Sequence, residues 1–298
     1  MLQPNPMSGL AETELLLTAD HRLYHINLKN EDIADDVILV GDQGRVEKIS
    51  AYFDTIDFKT AHREFITHTG TYKGKRITVI STGIGTDNID IVLNELDAAV
   101  NINPLTRHIN ANKRQLNLYR LGTSGSLQAD LPVNALVCSS HGIGLDGILP
   151  YYANWETVNE NELTQAFIKH CHWPKNFPFP YCVSADNNLF AKFSKKMSFG
   201  ITATAPGFYG PQGRELRLKT TIPQLNDLLA TFALNNIRIT NFEMETSALY
   251  GLGKLLNHRC LTICVIIANR ALKNFTTDYE KSIEILITAC LDTLTEKN

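Results

Sequence analysis

Short apolar, β-branched runs alternate with amphipathic helical patterns along almost the whole chain, which restricts it to folds that wrap helices around a buried sheet. Runs at 37–40, 77–81, 116–121, 135–138, 199–204 and 261–268 have strand composition. Residues 88–100 place Ile89, Val92, Leu93, Leu96 and Val100 on one helical face. The same holds for 245–256, through Ala248, Leu249, Leu252, Leu255 and Leu256, and Ile283, Leu286, Cys290 and Leu294 predict a closing helix. No repeat or long linker divides the chain. We therefore expect one α/β domain over 1–298, with 1–20 as an N-terminal extension. Residues 151–188, rich in Trp, Pro, Asn and aromatics, read as an irregular excursion over the surface.

Composition removes several function classes. Of 298 residues 44% are apolar, and 28 Lys+Arg against 31 Asp+Glu leave a net charge of −3. Disorder needs low hydrophobicity with high net charge, and a nucleic-acid binder usually needs a basic excess; neither is present. The longest apolar run, Ile263-Cys264-Val265-Ile266-Ile267-Ala268, falls far short of the roughly 18–20 residues of a membrane span. The segment from Met1 to Ala11 has neither a basic start nor an apolar centre, so no secretory leader is expected and the expected location is cytoplasmic. Cys138, Cys171, Cys182, Cys260, Cys264 and Cys290 form no CxxC pair and read as free thiols of a reducing compartment. The run His170-Cys171-His172 lacks the second ligand pair of a closed zinc site and reads as a surface or interface element.

In open α/β sheets ligands gather beyond the carboxyl ends of strands, so the residues after each run matter most. After 37–40 comes Gly41-Asp42-Gln43-Gly44-Arg45, where a tight turn, a helix start and a guanidinium suit an anion. An ordinary strand-to-helix turn with a solvated Arg45 fits the same residues. Arg120 sits in an apolar strand and precedes Leu121-Gly122-Thr123-Ser124-Gly125; a buried guanidinium requires an anion or a carboxylate. The run suggests a backbone nest for phosphate, or Arg120 is a structural partner of a Glu. Phe208-Tyr209-Gly210-Pro211-Gln212-Gly213-Arg214 offers an aromatic face, an amide and a guanidinium able to read the edge of a pyrimidine, or else a plain Pro/Gly turn. Glu243-Met244-Glu245 at a helix start offers carboxylates for sugar hydroxyls and an apolar wall, or simple dipole compensation.

Taken together, seven motifs occur in order: Gly41 to Ile49, His62-Arg63-Glu64-Phe65, Ser81-Thr82-Gly83-Ile84-Gly85, Arg120 to Gly125, Phe208…Gln212-Gly213-Arg214, Phe242-Glu243-Met244-Glu245-Thr246 and Asn269-Arg270. From Tyr24 to the C-terminus the chain resembles the nucleoside phosphorylase family, most closely its uridine phosphorylase branch. The resemblance implies a three-layer αβα sandwich around a twisted mixed sheet, with active sites shared in a homo-oligomer that is at least a dimer and in some relatives a hexamer. It implies phosphate binding by Gly41, Arg45, Arg120 and Thr123, with Arg63 lent by the neighbouring subunit. Ribose would meet Glu243, Met244, Glu245 and a partner's His25, and uracil would meet Phe208, Gln212 and Arg214. Arg45, Arg120, Gln212, Arg214 and Glu245 would carry the catalysis. Nucleoside and inorganic phosphate are the implied partners, with no other cofactor.

Purine-specific relatives carry an Asp after the last apolar strand, whereas here Ala268-Asn269-Arg270 follows, which favours a pyrimidine. Gln43 replaces a usual Pro, and Thr86-Asp87-Asn88 replaces Gly-Pro-Ser. In some relatives Glu, Ile and Ser at positions matching Glu64, Ile84 and Asn88 bind an interface potassium, and Asn88 still offers an oxygen. Residues 105–115 and 145–188 read as longer and more irregular than in the family. A different nucleoside preference, a nucleosidase that uses water, and a non-catalytic nucleoside-binding protein stay open at this stage.

Overall fold

The computed structural model describes residues 9–296. In chain order the elements are β1 (Asp36–Val40), α1 (Gln43–Ser50), β2 (Thr55–His62), β3 (Phe65–Tyr72), β4 (Lys75–Ser81), α2 (Thr86–Asn101), β5 (Asn117–Ser126) and β6 (Leu136–Gly144). They continue with α3 (Asn161–His170), β7 (Tyr181–Ser184), α4 (Asn187–Phe193), β8 (Ser198–Thr204), α5 (Leu225–Thr231), β9 (Ala233–Leu234) and β10 (Ile237–Glu243). The last four are α6 (Thr246–Leu255), β11 (Arg259–Asn269), β12 (Asn274–Phe275) and α7 (Tyr279–Thr295). All six apolar runs become strands. Val37, Ile38, Leu39 and Val40 are fully buried on both faces of β1, as a sheet covered on both sides requires. The fold is an αβα sandwich about a twisted mixed sheet; α1 pairs with α7 and α2 packs on α6.

The strand order runs β12-β11-β6-β8-β10-β5-β1-β4-β3-β2, and β11 also pairs with β5, so part of the sheet closes on itself. Strand β5 is the pivot. One edge pairs in parallel with β11 along its whole length. The other edge meets β1 at residues 117–120 and β10 only at Gly125 and Ser126. Between those pairings, residues 121–124 have no strand on that edge, and the sheet parts there. This is the switch point at which open α/β sheets admit ligands.

Three expectations change. The run 122–125 is not a backbone nest: its residues stay in β5, paired with Cys264, Val265, Ile266 and Ala268 of β11, because β11 continues beside them. The segment 151–188 is not merely a surface excursion. Helix α3 buries Leu163, Thr164 and Phe167, and β7 adds an antiparallel strand to β6 with Tyr181, Cys182 and Val183 buried. Its aromatics pack edge to face, Phe167 with Phe232 at 5.5 Å, and tilted, Phe167 with Trp173 at 5.6 Å. The β2–β3 hairpin had no strand signature, since β2 is a partly exposed edge and β3 buries polar Thr and His residues in place of an apolar run. Of the expected extension 1–20, residues 1–8 lie outside the described residues. Residues 9–20 run against the loop at Arg107, which donates to the carbonyls of Leu10, Ala11 and Leu15.

The six cysteines are buried and unbridged, and burial raises the Cys138 and Cys264 thiols. His170 is spent on the Leu228 carbonyl at 3.0 Å, and among the described residues no group of three or more His, Cys, Asp or Glu could hold a metal ion. No described helix is long and apolar enough to cross a membrane.

Phe167 should behave as a core residue of the 151–188 segment. Phe167→Ala is expected to cost about 3–5 kcal/mol, read as a lowered urea midpoint. A shift worth under about 1 kcal/mol would return the segment to the surface.

Candidate active site

The loops after β1, β8, β10 and β11 converge with the second half of β5 on one cleft of about 1090 Å³. Asp42 caps α1 by accepting from the Gly44 N–H at 3.0 Å, and this sets Arg45 on the first turn, pointing back across the gap in the sheet. There Arg45 Nη1 donates to the Leu121 carbonyl at 2.9 Å, a β5 acceptor freed by the parting of the strands. Its Nη2 donates to the Tyr279 hydroxyl, also at 2.9 Å, and its Nε is buried without a partner. Gly41 and Thr123 line the same end.

Arg120 is buried next to it. Its guanidinium is ion-paired with Glu243, at 3.2 Å, and with Glu245. Gly122 makes room, since a Cβ there would run into the Arg120 side chain. Glu243 ends β10 and caps α6, accepting from the N–H groups of Glu245 and Thr246 at 3.0 Å and from the Thr204 hydroxyl at 2.8 Å. Glu245 accepts from the Gly85 N–H at 2.8 Å. Burial first, and then the charge of Glu243, raise the Glu245 carboxyl, with Arg120 pulling the other way. Met244 lines the cleft between these two carboxylates.

At the far end, Gln212 is buried in the turn after β8, which closes on Gly213 in the left-handed region (φ 69°). Gln212 Oε1 accepts from Arg214 Nη1 at 2.7 Å, and the Arg214 guanidinium carbon lies 3.7 Å from the centroid of the Phe208 ring. Phe208 thus gives one ring face to Arg214 and leaves the rest for a ligand. Partial burial, then the charge of Arg270, draw the Arg214 pKa down to about 10. Such a guanidinium is a stronger hydrogen-bond donor than a solvated one. Arg270 Nη2 donates to the Gln212 carbonyl at 3.3 Å, and Ile267 and Ala268 complete the wall.

Ten of the expected site residues therefore share one cleft: Gly41, Arg45, Arg120, Thr123, Phe208, Gln212, Arg214, Glu243, Met244 and Glu245. His25 and Arg63 do not line it. They meet elsewhere on the surface, around Tyr24. The Tyr24 hydroxyl accepts from Arg63 at 3.2 Å, and its ring stands edge-on to His25 at 5.0 Å. Glu95 holds His25 through its backbone N–H and Nδ1. Glu64, Ile84 and Asn88 come together at the rim of the cleft. The Asn88 amide nitrogen donates to the Ile84 carbonyl at 3.3 Å, so that oxygen already serves an N–H. Sequence reading missed Tyr279 and gave Arg270 no role; it also missed the supports below the cleft. There Asp146 accepts from Tyr181 (2.8 Å) and Ser247 (2.9 Å), while the Ser247 N–H reaches Thr204 (3.0 Å). Only proximity across the fold reveals these contacts.

A family model described as the phosphorylase superfamily matches residues 35–294, and the chain belongs to that superfamily. Uridine phosphorylase of Thermococcus kodakarensis is 32% identical over 94% of this chain and 89% of that protein. A Trypanosoma brucei nucleoside phosphorylase whose crystal structure is described as showing uridine phosphorylase activity superposes with a TM-score of 0.85. The two chains are 31% identical, over 94% of this chain and 99% of the other. A purine nucleoside phosphorylase of the DeoD type from Listeria welshimeri is 35% identical over 81% of this chain and 85% of its own length.

Removing Arg120 would leave Glu243 and Glu245 buried without their cation. Arg120→Ala is expected to lose about 3–5 kcal/mol of stability at neutral pH. With no cation to oppose burial, Glu245 sits still further above its unfolded value, so the folded state takes up protons as pH falls. The deficit relative to wild type should shrink as pH falls from neutral toward the ordinary carboxylate range, measured by urea unfolding; a constant deficit would mean the carboxylates are not the cause.

Proposed function

We propose that the protein is a uridine phosphorylase, acting reversibly on uridine, and on 2′-deoxyuridine, with inorganic phosphate to give uracil and (deoxy)ribose 1-phosphate. One observation carries this reading: a single cleft has arginines at one end, carboxylates at its centre and an amide–guanidinium pair at the other, with no acid at that far end. Phosphate lies against Arg45, Thr123 and Arg120. Glu245 accepts from ribose hydroxyls and turns C1′ toward phosphate, a positioning effect. A phosphate oxygen then forms a bond to C1′ while the C1′–N1 bond breaks, through a sugar with oxocarbenium character. The electron pair leaves on uracil N1 and spreads to the ring oxygens, where Arg214 and Gln212 donate to it. Nucleophile and leaving group are both supplied by substrates, so the step balances without a covalent enzyme intermediate.

A purine leaves best when an acid protonates it. The acids of the cleft, Asp42, Glu64, Glu243 and Glu245, all belong to its phosphate and ribose ends. A nucleosidase would need no phosphate site, and the pairing of Arg45 with Arg120 speaks against it. We further propose a homo-oligomer, a dimer or a hexamer, in which the Tyr24–His25–Arg63 surface of one subunit completes the neighbour's cleft, and cytoplasmic pyrimidine salvage as its setting.

Uracil release should depend on phosphate with uridine and be slight with inosine. Release without phosphate would make the protein a nucleosidase. Arg214→Ala should lower kcat/KM for uridine by about 10²–10³-fold with the fold intact. Near-normal turnover would remove Arg214 from the base end.

A further inference from the structure

Tyr279 opens α7 and lines the phosphate end of the cleft. Its hydroxyl oxygen accepts from Arg45 Nη2 at 2.9 Å. With Nη1 spent on Leu121, two of the five guanidinium N–H groups are tied to protein in fixed directions. A phenol that accepts from an arginine keeps its own proton to donate. Among the described residues Arg45 is the hydroxyl's hydrogen-bonding partner, and Tyr279 lines the cleft together with Gly41, Arg45 and Thr123.

We infer that Tyr279 is a phosphate-binding residue, which fixes the Arg45 guanidinium and donates its O–H to a phosphate oxygen. This rests on the phosphorylase reading above and adds a ligand to its phosphate end. The geometry favours it over a purely structural link between helices. Such a link already exists one residue on, where Glu280 pairs with Lys48 of α1 on exposed surface away from the cleft.

The test compares Tyr279→Phe with Glu280→Gln. Tyr279→Phe keeps the ring and removes both hydrogen bonds. The KM for phosphate should rise about tenfold, the loss of one charge-assisted hydrogen bond, while the KM for uridine stays within about twofold. Calorimetry with inorganic phosphate alone should give a dissociation constant weaker by about the same factor. Glu280→Gln should leave both constants as in wild type. The assignment is overturned if Tyr279→Phe leaves phosphate KM and phosphate binding unchanged. It is overturned equally if the two KM values rise together, or if Glu280→Gln matches Tyr279→Phe, since each marks a structural role. A wild type that binds phosphate without releasing uracil sinks the uridine reading instead, and calorimetry still decides Tyr279. A wild type that binds no phosphate overturns both.

Discussion

A buried guanidinium held by two buried carboxylates ties this molecule together. Arg120 belongs to β5, Glu243 to the end of β10 and Glu245 to the start of α6, while Gly85, just before α2, donates to Glu245. Charges taken out of water are tolerable only when each meets its partners at once. The cluster satisfies that condition through the Thr204 hydroxyl and the N–H groups of Glu245 and Thr246. Four segments distant in sequence, at 85, 120, 204 and 243–246, must therefore close in one register. That register is also the one in which β5 loses β1 as a neighbour before gaining β10, and the resulting gap is the cleft.

The two ends of the cleft are built differently, and the difference bears on what each can vary. Arg45 and Arg120 stand on a helix and a strand, so their positions are set by the sheet itself. Phe208, Gln212 and Arg214 stand on a turn held by Gly213 and by the Arg270 contact to the Gln212 carbonyl. A loop on a rigid frame tolerates substitution more readily than the frame does. Superfamily members described as acting on uridine and as acting on purines resemble this chain to similar degrees. Overall likeness thus establishes the fold, and base preference must be argued from the turn and the end of β11.

The sequence made the sheet legible because its central strands are buried on both faces and read as continuous apolar runs. The hairpin at the sheet's end gave no such signal: in β2 and β3, Thr, His and other polar residues interrupt the apolar ones and mimic loop. Glycines at 122 and 125 suggested a backbone nest, yet Gly122 is small to let Arg120 fold back beside it, a packing reason invisible without coordinates. Ten site residues carried by compact motifs lie together in the cleft, while Arg63, also in such a motif, does not line it. Tyr279 was missed, because 234 residues separate it from Arg45, and nothing local distinguishes it from any tyrosine at a helix start.

Charge balance supports the shared-site oligomer proposed above. At the phosphate and ribose ends Arg45 and Arg120 face Asp42, Glu64, Glu243 and Glu245, so the protomer brings no net positive charge to an incoming anionic phosphate. Transition-state charge is best stabilised by groups already in place in a site shielded from water. That proposal draws its further cation from Arg63, which stacks over Tyr24 at 5.2 Å and does not line its own cleft. Its neighbour Glu64 reaches that cleft, and the Arg63 carbonyl accepts from Gln43 of the phosphate loop at 3.0 Å. One turn would thus brace the phosphate loop of its own subunit while presenting a guanidinium to the next, which makes association and phosphate binding parts of the same event.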